Sequence, residues 1–256
     1  MSSDPITSDI TVDLGADRVA TIEIHRPPNN HFDTALIAGI ADACERLANT
    51  TDCRAIVLCS EGRHFCAGAN FEAPAESGGP HLYEMALRLF EQPLPIVAAV
   101  QGAAIGGGLG LAMAADFRVA APEARFAANF ARLGFHHGFS LSVTLPLVVG
   151  HQTALDLLYT GRRVDGEEAF AMGMCDRLVP LDRVRDEAHA LALEIATSAP
   201  LAIRSIRVTM RGHLVEQARA AFERERSEQD RLRRTADWKE GVKATSERRP
   251  PEFTGR

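Results

Sequence analysis

The stretch Gly106-Gly107-Gly108-Leu109-Gly110-Leu111-Ala112-Met113-Ala114-Ala115-Asp116 decides the fold when it is read with Phe65-Cys66-Ala67-Gly68-Ala69-Asn70. The first follows an apolar run, Ile96 to Val100, that has the pattern of a buried strand. Its glycines then open into a small-residue helix pattern. A glycine run ahead of a helix leaves backbone N–H groups uncovered, and the helix dipole adds partial positive charge there. Such a place suits an anion, or an oxygen that becomes anionic during a reaction. Ala67-Gly68-Ala69 also follows a strand pattern and offers a second donor.

Other readings of the same glycines are open or excluded by single residues. A plain tight turn stays open. A dinucleotide fingerprint needs glycine where Leu111 stands, and a phosphate loop needs a lysine that the run lacks. Gly138-Phe139-Ser140-Leu141-Ser142 is no nucleophile elbow, because Ser142 replaces the second glycine.

A chain of 256 residues can bury a full core, and 46% hydrophobic with 24% charged residues is ordinary for a globular protein. The net charge of −6 gives no reason to expect a nucleic-acid partner. Basic residues are nearly all arginine, with only Lys239 and Lys243 as lysines. Cysteines stand at 44, 53, 59, 66 and 175. That odd set without a Cys-x-x-Cys pair supports neither a disulfide framework nor a metal site. With no secretory signal pattern and no run of 18 apolar residues, a cytoplasmic protein without a membrane partner is expected.

Along the chain, Val19 to Ile24 alternates like a strand, and His25 to Asn30 is a loop fixed by two prolines. Asp33 or Thr34 is placed to cap a helix whose apolar face is Ile37, Ile40, Cys44 and Leu47. Arg54–Ser60 and Phe117–Ala121 are strands, residues 72–80 a loop, and His81–Phe90 a helix. Leu141–Val149 and Thr153–Tyr159 are helices around a break at Gly150. From Leu181 to about Asp237 the pattern is helical, and Arg219–Arg234 has the charge density of a solvated or subunit-facing helix. The expectation is an α/β core over residues 1–195 and a helical part over 196–256.

Several segments together resemble the crotonase family, also called the enoyl-CoA hydratase/isomerase family. Ile24-His25-Arg26-Pro27-Pro28-Asn29-Asn30 is similar to its first-loop pattern, and Arg63 to Asn70 to its "FCAGAD" segment, with Asn70 for the usual aspartate. Gln101 to Gly108 is similar to "NGxAxGGG". Ala124-Arg125-Phe126, Thr160-Gly161-Arg162-Arg163, Trp238-Lys239-Glu240-Gly241 and Phe253-Thr254-Gly255-Arg256 continue the likeness to the end. The resemblance implies a spiral of ββα units with a helical trimerisation region, assembled as a homotrimer or dimer of trimers. It implies an acyl-CoA thioester substrate and no cofactor beyond the CoA of that substrate. By position, Ala69 and Gly107 match the residues whose N–H groups bind the thioester oxygen and stabilise an enolate. Ala67, with Gly68, falls on the CoA side, as does Arg26, although Pro28 stands where a companion lysine is often found. Phe253 and Arg256 match positions near a neighbouring subunit's CoA.

Three positions depart from the family. Its hydratases carry two glutamates, and here those positions are Gly110 and Phe130; a third acid position falls on Gly138. Ordinary hydratase activity is therefore expected to be weak, and Gly110→Glu with Phe130→Glu is expected to raise it. His136 and His137, beside Gly138, are the candidate proton carriers, with His137 preferred; alternatively one packs and the other caps the helix starting near Ser140. His81, Tyr83 and Glu84 open the helix after the 72–80 loop, where the family's acyl pocket often has a wall; they read as an ordinary amphipathic helix start, with catalysis the alternative, and Glu72 reads as a loop charge. The sequence thus points to an acyl-CoA enzyme working through a stabilised enolate. The alternatives are a thioester hydrolase or C–C cleaving enzyme using His137, and an acyl-CoA-binding subunit without catalysis.

Overall fold

The computed structural model describes residues 4–50, 52–69 and 81–256. Asn70, Glu72 and the 72–80 loop lie outside the described residues. The strands are β1 (Asp4–Thr7), β2 (Ile10–Leu14), β3 (Val19–Ile24), β4 (Ala55–Ser60), β5 (Ile96–Val100), β6 (Ala103–Ile105), β7 (Phe117–Ala120), β8 (Arg125–Ala127), β9 (Val164–Asp165) and β10 (Arg177–Leu178). The helices are α1 (Thr34–Ala48), α2 (Leu82–Glu91), α3 (Gly107–Ala114), α4 (Leu141–Val149), α5 (His151–Thr160), α6 (Gly166–Ala171), α7 (Val184–Ala196), α8 (Pro200–Leu232) and α9 (Ala236–Ser246).

One sheet runs β1-β2-β3-β4-β5-β7-β10. Its first three strands are antiparallel, and β3 onward is parallel, with Ile56 opposite Ile96 and Val97 opposite Phe117. A second sheet, β6-β8-β9, begins where the chain leaves β5. The strands β4 and β5 are buried at every position, and apolar apart from Ser60, because both sheet faces are covered. Ile22, Ile56, Leu58 and Ile96 face α1, α2 and α3, whereas Val19, Val57, Val97 and Val119 face Val184, Ala188 and Leu191 of α7. Period-two alternation thus feeds two cores from one sheet.

Local signals account for several ends. The Asp33 carboxylate accepts the Leu36 N–H at 2.8 Å and caps α1. Pro200 opens α8, where its missing N–H costs nothing. Along that 33-residue helix the buried positions are 207, 214, 218, 222, 225 and 229, one stripe at helical spacing. The charge-dense stretch read as solvated or subunit-facing therefore buries Phe222, Glu225 and Gln229 against its own chain. Among the described residues, no helix is long and apolar enough to cross a membrane.

Candidate active site

Two crossings of the chain meet at one cavity. After β4, Cys66 donates to Ala103 and accepts from Ile105, pinning the segment along β6. Gly68 follows at φ +98°, where a side chain would be strained and would crowd the Ile105 carbonyl. Its own carbonyl accepts from Phe32 N–H at 3.1 Å. The Ala67 N–H is used by Asn29, at 2.9 Å. Two residues on, Ala69 forms a parallel bridge with Phe32. At the other crossing Gly106, at φ +57°, turns the chain from β6 into α3, and Gly107 is the first helical residue. Its N–H lies ahead of the intrahelical ladder. A side chain at Gly108 would overlap the Cys66 carbonyl, which explains how closely the two crossings approach.

Ala69 and Gly107 line the same cavity, of about 90 Å³. Its walls are largely aromatic: Phe32, Tyr83, Phe130, Phe135 and Phe139. Phe32 lies edge-on to Phe139, with centroids 6.0 Å apart. Among the described residues, neither a carboxylate nor an imidazole lines it. Arg26 and Phe253 lie outside. The Arg26 guanidinium is held by Asp9 at 2.8 Å and Asp33 at 2.7 Å, so its charge is already balanced. Burial opposes that charge, yet the two aspartates raise its pKa above the ordinary value. With Pro28 and His31 it lines a second depression of about 260 Å³, which shares the Phe32 wall with the cavity. Phe253 is half exposed near the C-terminus.

The three positions where the resemblance implies an acid are filled physically. A side chain on Gly110 would overlap Phe139 Cβ and its ring. The expectation that Gly110→Glu raises hydration is corrected by this contact: the space belongs to Phe139. Phe130 lines the cavity and stacks on Phe135 at 6.5 Å. At Gly138, the Tyr83 hydroxyl and the Gln229 amide nitrogen already occupy the volume a side chain would enter.

Neither histidine candidate lines the cavity. Their rings stack 4.1 Å apart, and His136 Nδ1 lies 2.7 Å from the His137 carbonyl. His137 Nε2 is buried without a hydrogen-bond partner among the described residues. Burial, reinforced by His136, pushes His137 down to about 4, so its ring is neutral at physiological pH. Nor does a histidine cap α4. The Glu225 carboxylate, reaching from α8, accepts from Ser140 N–H at 2.9 Å, Ser142 N–H at 3.3 Å and Ser142 Oγ at 2.6 Å. It holds Phe139 and Ser140, both at positive φ, in place. Burial pushes Glu225 up to about 7 despite those donors.

The sequence offers Tyr83 only as part of an amphipathic helix start beside the acyl pocket, with catalysis the lesser alternative, and it does not single out Gln229 or Arg233. Tyr83 is buried and stacked on Phe222 at 4.7 Å, with its N–H accepted by His81 Nδ1. Burial first, then the nearby Glu225 charge, pushes its phenol above the ordinary range, so it keeps its proton. Gln229 donates to the His136 carbonyl at 3.0 Å, and Arg233 stands over the Phe135 ring at 5.2 Å. The signal that could have found them is the α8 stripe Phe222, Glu225, Gln229, extended by one turn to position 233. Among the described residues, no cluster of three or more His, Cys, Asp or Glu is placed to hold a metal ion.

The chain matches the enoyl-CoA hydratase/isomerase family model over residues 15–256. It is 34% identical over 249 residues to a putative enoyl-CoA hydratase of Thermus thermophilus, covering 92% of this chain and 97% of that protein. It is 29% identical to the 1,2-epoxyphenylacetyl-CoA isomerase of Escherichia coli, covering 93% and 95%. The crystal structure of an enoyl-CoA hydratase/isomerase from Pseudoalteromonas atlantica superposes with a TM-score of 0.90 at 33% identity, over 96% of this chain and all of that one. Sequence over nearly the full length and a crotonase fold agree, and the chain belongs to the enoyl-CoA hydratase/isomerase family.

Proposed function

We propose that this protein acts on an acyl-CoA thioester whose carbonyl oxygen is received by the N–H groups of Ala69 and Gly107. The observation that carries this reading is the convergence of these two residues on one apolar cavity, with Gly107 at the head of α3. Donors aimed at an oxygen that gains charge stabilise an enolate more than the ground-state thioester, and one such donor is typically worth roughly 100- to 1000-fold in rate. Low polarity around them strengthens the effect. The CoA portion would leave along Ala67 and Gly68 past the shared Phe32 wall, into the depression beside Arg26. Arg26 would act there by holding the loop between Asp9 and Asp33. Phe253 would belong to the CoA side of a neighbouring subunit.

The chemistry would be other than efficient hydration, because the described lining carries no group able to activate water. A proton-carrying His137 has little support, since its ring lies outside the lining. The protic side chain at the right place is Tyr83. A second reading, acyl-CoA binding without turnover, is favoured by the lack of a described acid–base group in that lining. The test is a panel of acyl- and enoyl-CoA thioesters incubated with the purified full chain and read by mass spectrometry. Turnover of at least one thioester, lost in a folded Ala69→Pro variant that lacks one N–H, supports the enzyme. Saturable thioester binding with no product across the panel supports the binding subunit. No binding to any thioester sinks both.

A further inference from the structure

Arg233 is the one charged side chain among the described residues that line the acyl cavity. It caps the end of α8, where a cation suits the helix dipole, and it covers Phe135. Neither contact neutralises it. Glu228, on the same helix, is committed to Arg224 and Arg231. Glu225 is committed to Ser140 and Ser142. Asp230 and Glu84 act electrostatically on His81, and neither lines the cavity. Arg233 is exposed at the cavity rim with no described carboxylate paired to it, so its guanidinium is open to an anionic group on a ligand.

The polar groups beside it are arranged as donors. Gln229 lies one helical turn before Arg233, so both project to the same side of α8. The Tyr83 hydroxyl and the Gln229 amide nitrogen lie together beside Gly138, and both residues line the cavity. The phenol keeps its proton and so can donate to an acceptor inside the cavity. The cavity thus offers donors in two places: the backbone pair at Ala69 and Gly107, and the group formed by Tyr83 and Arg233.

We propose that the acyl pocket takes a thioester whose acyl group carries a carboxylate at its far end, with Arg233 as counter-ion and the Tyr83 hydroxyl as a second donor. This rests on the acyl-CoA reading above and narrows it to dicarboxylic acid monothioesters. An anion at Arg233 could also be a phosphate of CoA itself, and the experiment separates the two sources.

The test is calorimetric binding of succinyl-CoA against butyryl-CoA and of glutaryl-CoA against valeryl-CoA, pairs of equal chain length that differ in the terminal charge. In the wild type at least one carboxylated member should bind about tenfold or more tightly than its neutral partner, the worth of one charge-assisted contact. Arg233→Met, which keeps the alkyl stem over Phe135, should erase the preference and leave the neutral thioesters unchanged. Arg233→Lys should retain part of it. Tyr83→Phe, which keeps the stack on Phe222, should reduce it. Equal affinity within both wild-type pairs overturns the proposal. So does an Arg233→Met loss shared equally by charged and neutral thioesters, which would assign Arg233 to a CoA phosphate. Failure of every thioester to bind would instead overturn the acyl-CoA reading, and this proposal with it.

Discussion

The Tyr83 hydroxyl occupies the volume into which a side chain at position 138 would project, so Gly138 and Tyr83 exclude each other's alternatives. A larger residue at 138 would have to displace a buried phenol held between Phe222 and Gln229. Where the resemblance implies an ionisable acid, the pocket holds a phenol that keeps its proton at neutral pH. That phenol supplies a hydrogen-bond donor and withholds a general base.

Hydration of crotonyl-CoA should therefore be slow, at least about a hundredfold below a relative with both glutamates. The loss of enoyl-thioester absorbance measures it. Brisk hydration that survives Tyr83→Phe would show that the proton carriers lie elsewhere, with Glu72 the first to examine.

Gly110→Ala should destabilise the fold by about 1–3 kcal/mol, because the added carbon must displace Phe139 from a filled core. Urea unfolding reads the loss. Gly110→Glu should be worse, and should not gain hydratase activity even with Phe130→Glu. A Gly110→Ala protein as stable as wild type would mean that Phe139 yields without cost.

Glu225 and His137 should pull the pH dependence of stability in opposite directions. Glu225 is raised to about 7 from 4.5, so the folded form holds its proton more tightly than the unfolded chain. Its contribution is full below 4.5 and is lost as pH rises through about 7. His137 is lowered to about 4 from 6.5, so the unfolded chain takes up that proton first. Its contribution is full above 6.5 and is lost as pH falls toward 4. Each effect is on the order of 3 kcal/mol at its limit. Across pH 4.5–6.5 the wild-type Tm should be nearly flat from this pair. Glu225→Gln should make Tm rise with pH, and His137→Asn should make it fall. Unaltered slopes in both variants would refute the pairing.

Asp116→Ala should cost about 3–5 kcal/mol. Its carboxylate receives Arg207 at 2.9 Å, Arg211 at 2.8 Å and the Ile96 N–H at 2.8 Å. Burial works against its charge, but the two arginines keep its pKa below the ordinary value. Removing it strands two buried cations, so thermal unfolding should shift markedly. A shift no larger than that of an exposed aspartate variant would argue against the triad.

The protein should assemble as a trimer or a dimer of trimers. Leu201, Ile206, Val208 and Met210 of α8 are exposed in the single chain, an apolar surface that suits burial between subunits. Light scattering at micromolar concentration should give three or six chains, and a monomer would contradict it.

Much of the fold is written locally. Alternation in Val19–Ile24, the Asp33 cap and the strand-to-glycine junction at Gly106 each depend on a few neighbouring residues, and each takes the form its residues dictate. That the Ala67–Ala69 and Gly106–Gly108 segments share one cavity was legible for the same reason, from their glycine-rich patterns. The acid–base question was not legible in this way. Gly110 and Gly138 look like vacancies in the sequence, yet their space is taken by Phe139, 29 residues from Gly110, and by Tyr83 and Gln229, 55 and 91 residues from Gly138. His136 and His137 are next to Gly138 in the chain, but neither lines the cavity. Sequence by itself determined the elements, the family resemblance and the two segments that meet at the cavity, because helix periodicity, strand alternation and glycine geometry are short-range. Only the tertiary structure decided which side chains fill the pocket, because packing joins α2, α4 and α8 across distances that no local pattern encodes.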